Sequence, residues 1–238
     1  VRVRVEVGLK KSSPTKPRHE LKMVTARAML PRVESWLRRH PDGFYVRYPP
    51  REVNNVYFDT PHLHRFVENL GGASERRKVR LRWYGLETSD VAGVFEIKCK
   101  RNKLGWKISQ RLERPLDFEG LPWAELVAGI RAELNQELRL HLDMSGEPVL
   151  INRYHREYYL SADGAVRITL DYDLRAYDQR GVAVPNLRFG VPVPDDLVVE
   201  LKAPYDQGDR LRWTLESIPL RVTKRSKYAL GVASGLGY

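Results

Sequence analysis

The chain has 238 residues, 42% of them hydrophobic, with 12 Tyr and 5 Trp, which argues against global disorder and supplies a core for one large domain. A formal net charge of +11 points to a polyanionic partner and leaves nucleic acid, an acidic membrane surface and phosphate chains open. A single cysteine, Cys99, excludes an intrachain disulfide and a cysteine-built zinc site, and no apolar run approaches the ~18–20 residues that span a bilayer.

In chain order, residues 1–11 alternate valine with charged residues and lack the continuous apolar stretch of a secretion signal, so a cytoplasmic location is expected. Residues 18–24 read as a strand. Thr25 is placed to cap a helix running to about Arg39, with Leu30, Val33 and Leu37 on one face and Pro31 disturbing the first turn. Residues 52–58 read as a second strand, and Pro61 opens a short helix that Gly71-Gly72 ends. Asp59-Thr60-Pro61 after an aromatic strand end reads as a scaffold turn. Five segments then alternate with period two. Val79, Leu81 and Trp83 oppose Lys78, Arg80 and Arg82, and Phe95, Ile97 and Cys99 oppose Glu96, Lys98 and Lys100. Trp106, Ile108 and Leu112 oppose Lys107, Ser109 and Arg111, Val166, Ile168 and Leu170 oppose Arg167, Thr169 and Asp171, and Leu197, Val199 and Leu201 oppose Val198, Glu200 and Lys202. Between them, residues 123–138 carry apolar residues at helical spacing and residues 149–160 form a strand. Residues 206–218 and 226–232 read as closing helices. Many strands without βα alternation predict an antiparallel α+β fold.

One charged face is common on a solvated strand, but here a Glu-x-Lys pattern recurs on three segments: Glu20-Leu21-Lys22, Glu96-Ile97-Lys98 and Glu200-Leu201-Lys202. Closed into a barrel with that face inward, these strands would line a basic lumen with interspersed carboxylates. Buried charges need partners, and a thin polyanion with a divalent metal supplies both signs.

The ordered set of Arg18-His19-Glu20-Leu21-Lys22, Asn55-Val56-Tyr57-Phe58-Asp59-Thr60-Pro61, Lys78-Val79-Arg80-Leu81-Arg82-Trp83-Tyr84-Gly85, Glu96-Ile97-Lys98, Arg153-Tyr154, Arg167-Ile168-Thr169-Leu170-Asp171, Glu200-Leu201-Lys202 and Lys224-Arg225-Ser226-Lys227-Tyr228 resembles the catalytic domain of the vacuolar transporter chaperone (VTC) family. That family comprises polyphosphate polymerases of the triphosphate tunnel metalloenzyme superfamily. The resemblance implies an antiparallel β-barrel tunnel of about eight strands with a polar basic lumen and flanking helices over residues 17–238, after an N-terminal extension at 1–16. It implies that Lys22, Arg80, Arg82, Lys98, Lys107, Arg153, Arg167, Lys202, Lys224, Ser226 and Lys227 contact phosphate. Arg80, Arg82, Lys98, Glu200 and Lys227 would be the catalytic set. Glu200 would hold Mn²⁺ or Mg²⁺, with Glu20 and Asp171 as further metal candidates.

The implied partners are ATP and polyphosphate. Nucleic acid and membrane insertion by this chain are not expected, while a membrane-protein partner and the oligomeric state stay open. The implied reaction is transfer of the ATP γ-phosphate to a growing polyphosphate chain. An inorganic triphosphatase and a non-catalytic polyphosphate- or nucleotide-binding module are the alternatives, since the same tunnel serves hydrolases.

Overall fold

Period-two alternation becomes one eight-stranded antiparallel sheet in the computed structural model, which describes residues 18–101, 104–218, 220–223 and 225–238. The expected extension at residues 1–16 and Lys224 lie outside the described residues. The strands are β1 (Arg18–Ala26), β2 (Tyr45–Asp59), β3 (Glu75–Tyr84), β4 (Val94–Arg101), β5 (Leu104–Arg111), β6 (Glu147–Leu160), β7 (Arg167–Asp178) and β8 (Asp196–Pro204). Their order across the sheet is β1-β8-β7-β6-β2-β3-β4-β5. The α-helices are α1 (Leu30–Arg39), α2 (His64–Leu70), α3 (Trp123–Glu133), α4 (Gln136–Met144), α5 (Gly208–Glu216) and α6 (Lys227–Gly235). No helix of the described residues is long and apolar enough to cross a membrane.

The sheet curls, and its two faces divide the labour. The convex face is apolar and covered by helices. Val79, Leu81 and Trp83 of β3 and Phe95, Ile97 and Cys99 of β4 pack with Trp123, Leu126 and Ile130 of α3 and with Leu138 and Leu142 of α4. Outward residues of β1, β7 and β8, among them Met23, Ile168, Leu170, Val199 and Leu201, pack with Leu30, Val33 and Leu37 of α1 and Leu211 of α5. Each such side chain, fully buried, contributes about 1.5–3 kcal/mol of transfer free energy. The apolar half of every alternation is thereby used up outside, and the charged half is forced to the concave side.

A third cluster lies on the concave side. Tyr57, Leu150 and Ala176 hold Tyr228, Ala229 and Val232 of α6. Gly231 lets that helix come close, because a Cβ there would lie 2.7 Å from Leu150. Asp59, fully buried, fixes the same corner. Its Oδ1 accepts from the Thr60 and Arg65 amides at 2.7 and 2.8 Å, and its Oδ2 accepts from the Phe66 amide at 2.9 Å and the Tyr228 hydroxyl at 2.5 Å. The scaffold role expected of this turn is what the geometry gives.

Three local expectations need correction. Thr25 is not a helix cap. It pairs with Leu197 inside β1, which runs on to Ala26 before a 3-10 turn (Arg27–Met29) leads into α1. The helix expected over 123–138 is two helices, because Asn135 accepts the Leu138 amide at 3.0 Å and starts α4 afresh. Strand β2 begins at Tyr45 rather than near Glu52, and it carries Pro49-Pro50 through register shifts between Val46 and Arg51.

Candidate functional site

The concave face gathers the inward residues of the eight strands with the start of α6. On β3, Arg80 donates Nε and Nη2 to Glu96 Oε2 at 2.8 and 2.5 Å, while Lys107 of β5 donates to Glu96 Oε1 at 2.6 Å. Burial pushes the Glu96 carboxyl up, but Arg80, Arg82 and Lys107 overcome this and hold it well below the usual carboxylate range. Arg82 uses neutral acceptors instead: Asn55 Oδ1 at 2.9 Å and the Tyr154 hydroxyl at 3.4 Å. The buried Tyr57 hydroxyl is held below the ordinary phenol value, since Arg80, Arg82 and Lys227 outweigh its burial.

Further round the sheet, Arg156 of β6 donates Nε and Nη2 to Asp171 at 2.5 and 2.7 Å and lies 3.6 Å from Glu200. Lys227, the first residue of α6, reaches Asp171 Oδ2 at 2.5 Å and stands 4.5 Å over the Tyr154 ring. Burial pushes the Asp171 carboxyl up, yet Arg156 and Lys227 bring it down to about 2. Glu200 of β8 is met by Lys202 at 3.1 Å and Lys22 at 3.9 Å. Glu20 of β1 accepts from Lys98 of β4 at 2.7 Å and lies 3.6 Å from Lys22. Burial pulls the Lys202 ammonium down to about 8, and Glu200 and Glu20 offset this only in part.

Lys78, like Arg82, meets a neutral acceptor. Its Nζ donates to Ser226 Oγ at 2.6 Å, and Ser226 in turn caps α6 by accepting the Ala229 amide at 3.2 Å. Burial, then Lys22, Lys98, Arg80 and Arg76, push the ammonium well below the lysine range. Two more inward polar groups, Asn152 Nδ2 and Thr169 Oγ1, are buried without a partner. Cations thus outnumber the inner carboxylates Glu20, Glu96, Asp171 and Glu200, and donors are left over. A polyanion with many acceptor oxygens fits such a surface.

Among the described residues no cluster of three or more His, Cys, Asp or Glu side chains is placed to hold a metal. Two carboxylates suffice where substrate phosphates complete the shell, as is usual for Mg²⁺. Glu20 and Glu200 sit on the paired strands β1 and β8, either side of Lys22, which lies 3.6 Å from Glu20 and 3.9 Å from Glu200. Both oxygens of Asp171 are taken by Arg156 and Lys227, as both of Glu20 are by Lys98.

Of the residues singled out by sequence, Lys22, Arg80, Arg82, Lys98, Lys107, Glu20, Glu200, Lys202, Asp171, Ser226 and Lys227 are brought together here. Arg167 has the inward parity, opposite Lys202, but is exposed at the rim where β7 begins. Arg153 is a correction. It pairs with Asn54, not with an inward residue, and donates Nε to Asn54 Oδ1 at 2.6 Å on the outer face. Sequence reasoning overlooked Arg156, and it placed Lys78 on the charged face without naming it as a phosphate contact. The signal for Lys78 was present, since it shares a strand face with Arg80 and Arg82.

A family model for the VTC domain matches residues 17–236. No curated protein matches the chain. Among solved structures, the PH1819 protein from Pyrococcus horikoshii OT3 aligns with a TM-score of 0.50 at 15% identity, covering 90% of this chain and 97% of that one. A candidate adenylate cyclase from Vibrio parahaemolyticus aligns at 0.48 and 15% identity, covering 90% and 98%. The Schizosaccharomyces pombe Mediator head module aligns at 0.46 and 10% identity, covering 87% and 97%.

Proposed function

The chain belongs to the VTC domain family, whose fold is that of the triphosphate tunnel metalloenzymes, and on that premise we propose that it is a metal-dependent polyphosphate polymerase. The observation that carries the reading is the excess of half-buried cations over carboxylates, with Lys78 among them, around an inner face that keeps unused donors.

In this reading the triphosphate of ATP lies along the concave face. Arg80, Arg82, Lys98 and Lys202 bind its oxygens, Lys107 and Lys22 add positive charge, and Ser226 and Lys227 close one end at α6. Glu200 and Glu20 would hold a divalent cation, Mn²⁺ or Mg²⁺, which when bound neutralises charge between phosphate oxygens. A terminal oxygen of a phosphate chain attacks the γ-phosphorus in line. The bond from the γ-phosphorus to the bridging oxygen breaks, that oxygen leaves with ADP, and the chain is one phosphate longer. The attacking oxygen is already ionised at neutral pH, so no general base is required, and catalysis rests on positioning and charge stabilisation.

Incubation with ATP and Mn²⁺ or Mg²⁺, reading ADP, free phosphate and chain length together, tests this. ADP with long chains is expected. ADP with an equal amount of free phosphate and no chain growth would instead make the protein a triphosphatase, in which the Glu20–Glu200 pair orients water. Binding of polyphosphate without turnover would make it a binding module.

A further inference from the structure

The inner face does not end on cations. Along β3 the inward positions run Lys78, Arg80, Arg82 and then Tyr84; along β6 they run Tyr154, Arg156 and then Tyr158. Each strand therefore places a tyrosine one inward step, roughly 7 Å, beyond a guanidinium. The two rings meet at Arg51. Its guanidinium carbon lies 4.1 Å from the Tyr84 ring centre and 5.0 Å from that of Tyr158, and its Nε donates to the Tyr158 hydroxyl at 3.2 Å. Tyr48 stands edge-on to Tyr158, with centroids 5.7 Å apart. Pro49-Pro50 break the β2–β6 register between Tyr48 and Arg51, so this stretch of backbone is stiff and bulged.

None of these rings joins the apolar clusters of the described residues, and Tyr84 and Tyr48 are 43% and 46% exposed. Flat aromatic faces held open beside an arginine, at the edge of a phosphate-binding surface, suit a stacked π-system. We propose that Tyr84, Arg51 and Tyr158 form a nucleobase platform, on which the base of a nucleoside triphosphate stacks while its phosphates pass Arg82 and Arg156 into the lumen. The proposal rests on the tunnel reading above, in which ATP is the donor, and adds the residues that hold its base. The platform offers ring faces rather than a fixed set of edge donors, so it distinguishes base from no base more strongly than one base from another.

Calorimetric titration of ATP, GTP and inorganic tripolyphosphate into the wild-type protein and into Tyr84→Ala and Tyr84→Phe tests it. Tyr84→Ala is expected to weaken ATP and GTP roughly tenfold while tripolyphosphate binds as before. Tyr84→Phe, which keeps the ring face, should retain ATP affinity. Equal loss for all three ligands, or no loss for any, overturns the platform. If tripolyphosphate fails to bind the wild-type protein, the tunnel reading falls instead, so the two failures are distinct. Ethenoadenosine triphosphate gives a readout that needs no variant: its fluorescence should be quenched on binding to the wild-type protein, and unquenched emission at saturation overturns the platform.

Discussion

Lys98 and Glu20 meet at 2.7 Å, although β8, β7, β6, β2 and β3 lie between their strands in the sheet. Only a strongly curled sheet brings them together, and the pair ties β4 to β1 across the charged face. Their side chains are 34% and 20% exposed, so the bridge itself stabilises by only about 0–1 kcal/mol. Lys98→Met should therefore shift Tm by no more than about 4 °C. Tripolyphosphate affinity should fall roughly tenfold, because a charged hydrogen bond is lost. Melting curves and titration check this; a large Tm drop with intact affinity would make Lys98 a strut.

Lys78 carries the opposite trade. Its half-buried ammonium lies among cations, so Lys78→Met should raise Tm while weakening tripolyphosphate binding. The pH dependence follows from the same fact. The folded-state pKa lies below the ordinary lysine value, so between the two the folded protein holds fewer protons than the unfolded chain, and stability rises with pH across that window. A bound polyanion favours the charged ammonium, so binding takes up protons and weakens as pH rises through the window. Calorimetry in two buffers of different ionisation heat measures the uptake; identical heats would contradict it.

The two inward arginines of different pairing should behave differently. Arg82 donates to Asn55 and Tyr154, both neutral, so Arg82→Ala strands no charge and should cost binding, on the order of 1.5–3 kcal/mol, more than stability. Arg156 is clamped to Asp171, which is 1% exposed. Arg156→Ala leaves a buried carboxylate short of its partner and should destabilise by about 3–5 kcal/mol. Denaturant titration of both variants decides it, and equal stabilities would show that Lys227 alone suffices for Asp171.

The contrast between Arg153 and Arg156 also shows how far the sequence could be read. Where one face of a strand is plainly apolar, as in β3, β4 and β8, period two sets the phase, and the inward residues of those strands were legible. In β6, polar residues occupy both faces around Asn152, Arg153 and His155, and a register shift lies between Arg153 and His155. Phase is then set by pairing with β2 and β7, which no local pattern reports. The early part of β2 was hidden by Pro49-Pro50, which argue against a strand unless a bulge accommodates them. Glu20 and Glu200 were legible as two carboxylates but not as sharing Lys22 between them, since that depends on β1 pairing with the distant β8.

Glu200→Gln separates charge neutralisation by metal from charge neutralisation by protein. Lys202 and Lys22 outweigh burial and hold the Glu200 carboxyl well below the usual range, so its charge is retained at neutral pH. The amide keeps the shape but removes the charge a hard cation needs. It also releases Lys202 and Lys22 from their carboxylate and removes a repulsion with incoming phosphate. Tripolyphosphate binding without metal should therefore be retained or tighten severalfold, while the added affinity and turnover that Mn²⁺ confers should be lost. Glu20→Gln should weaken the Mn²⁺ response in the same direction. Asp171→Asn should lower stability and leave the metal-dependent gain in tripolyphosphate affinity intact, since Asp171 is committed to Arg156 and Lys227. Titration of tripolyphosphate with and without Mn²⁺ reads all three variants. If Glu200→Gln keeps the full Mn²⁺ gain, the metal carboxylate lies elsewhere, and Glu20 has the next claim.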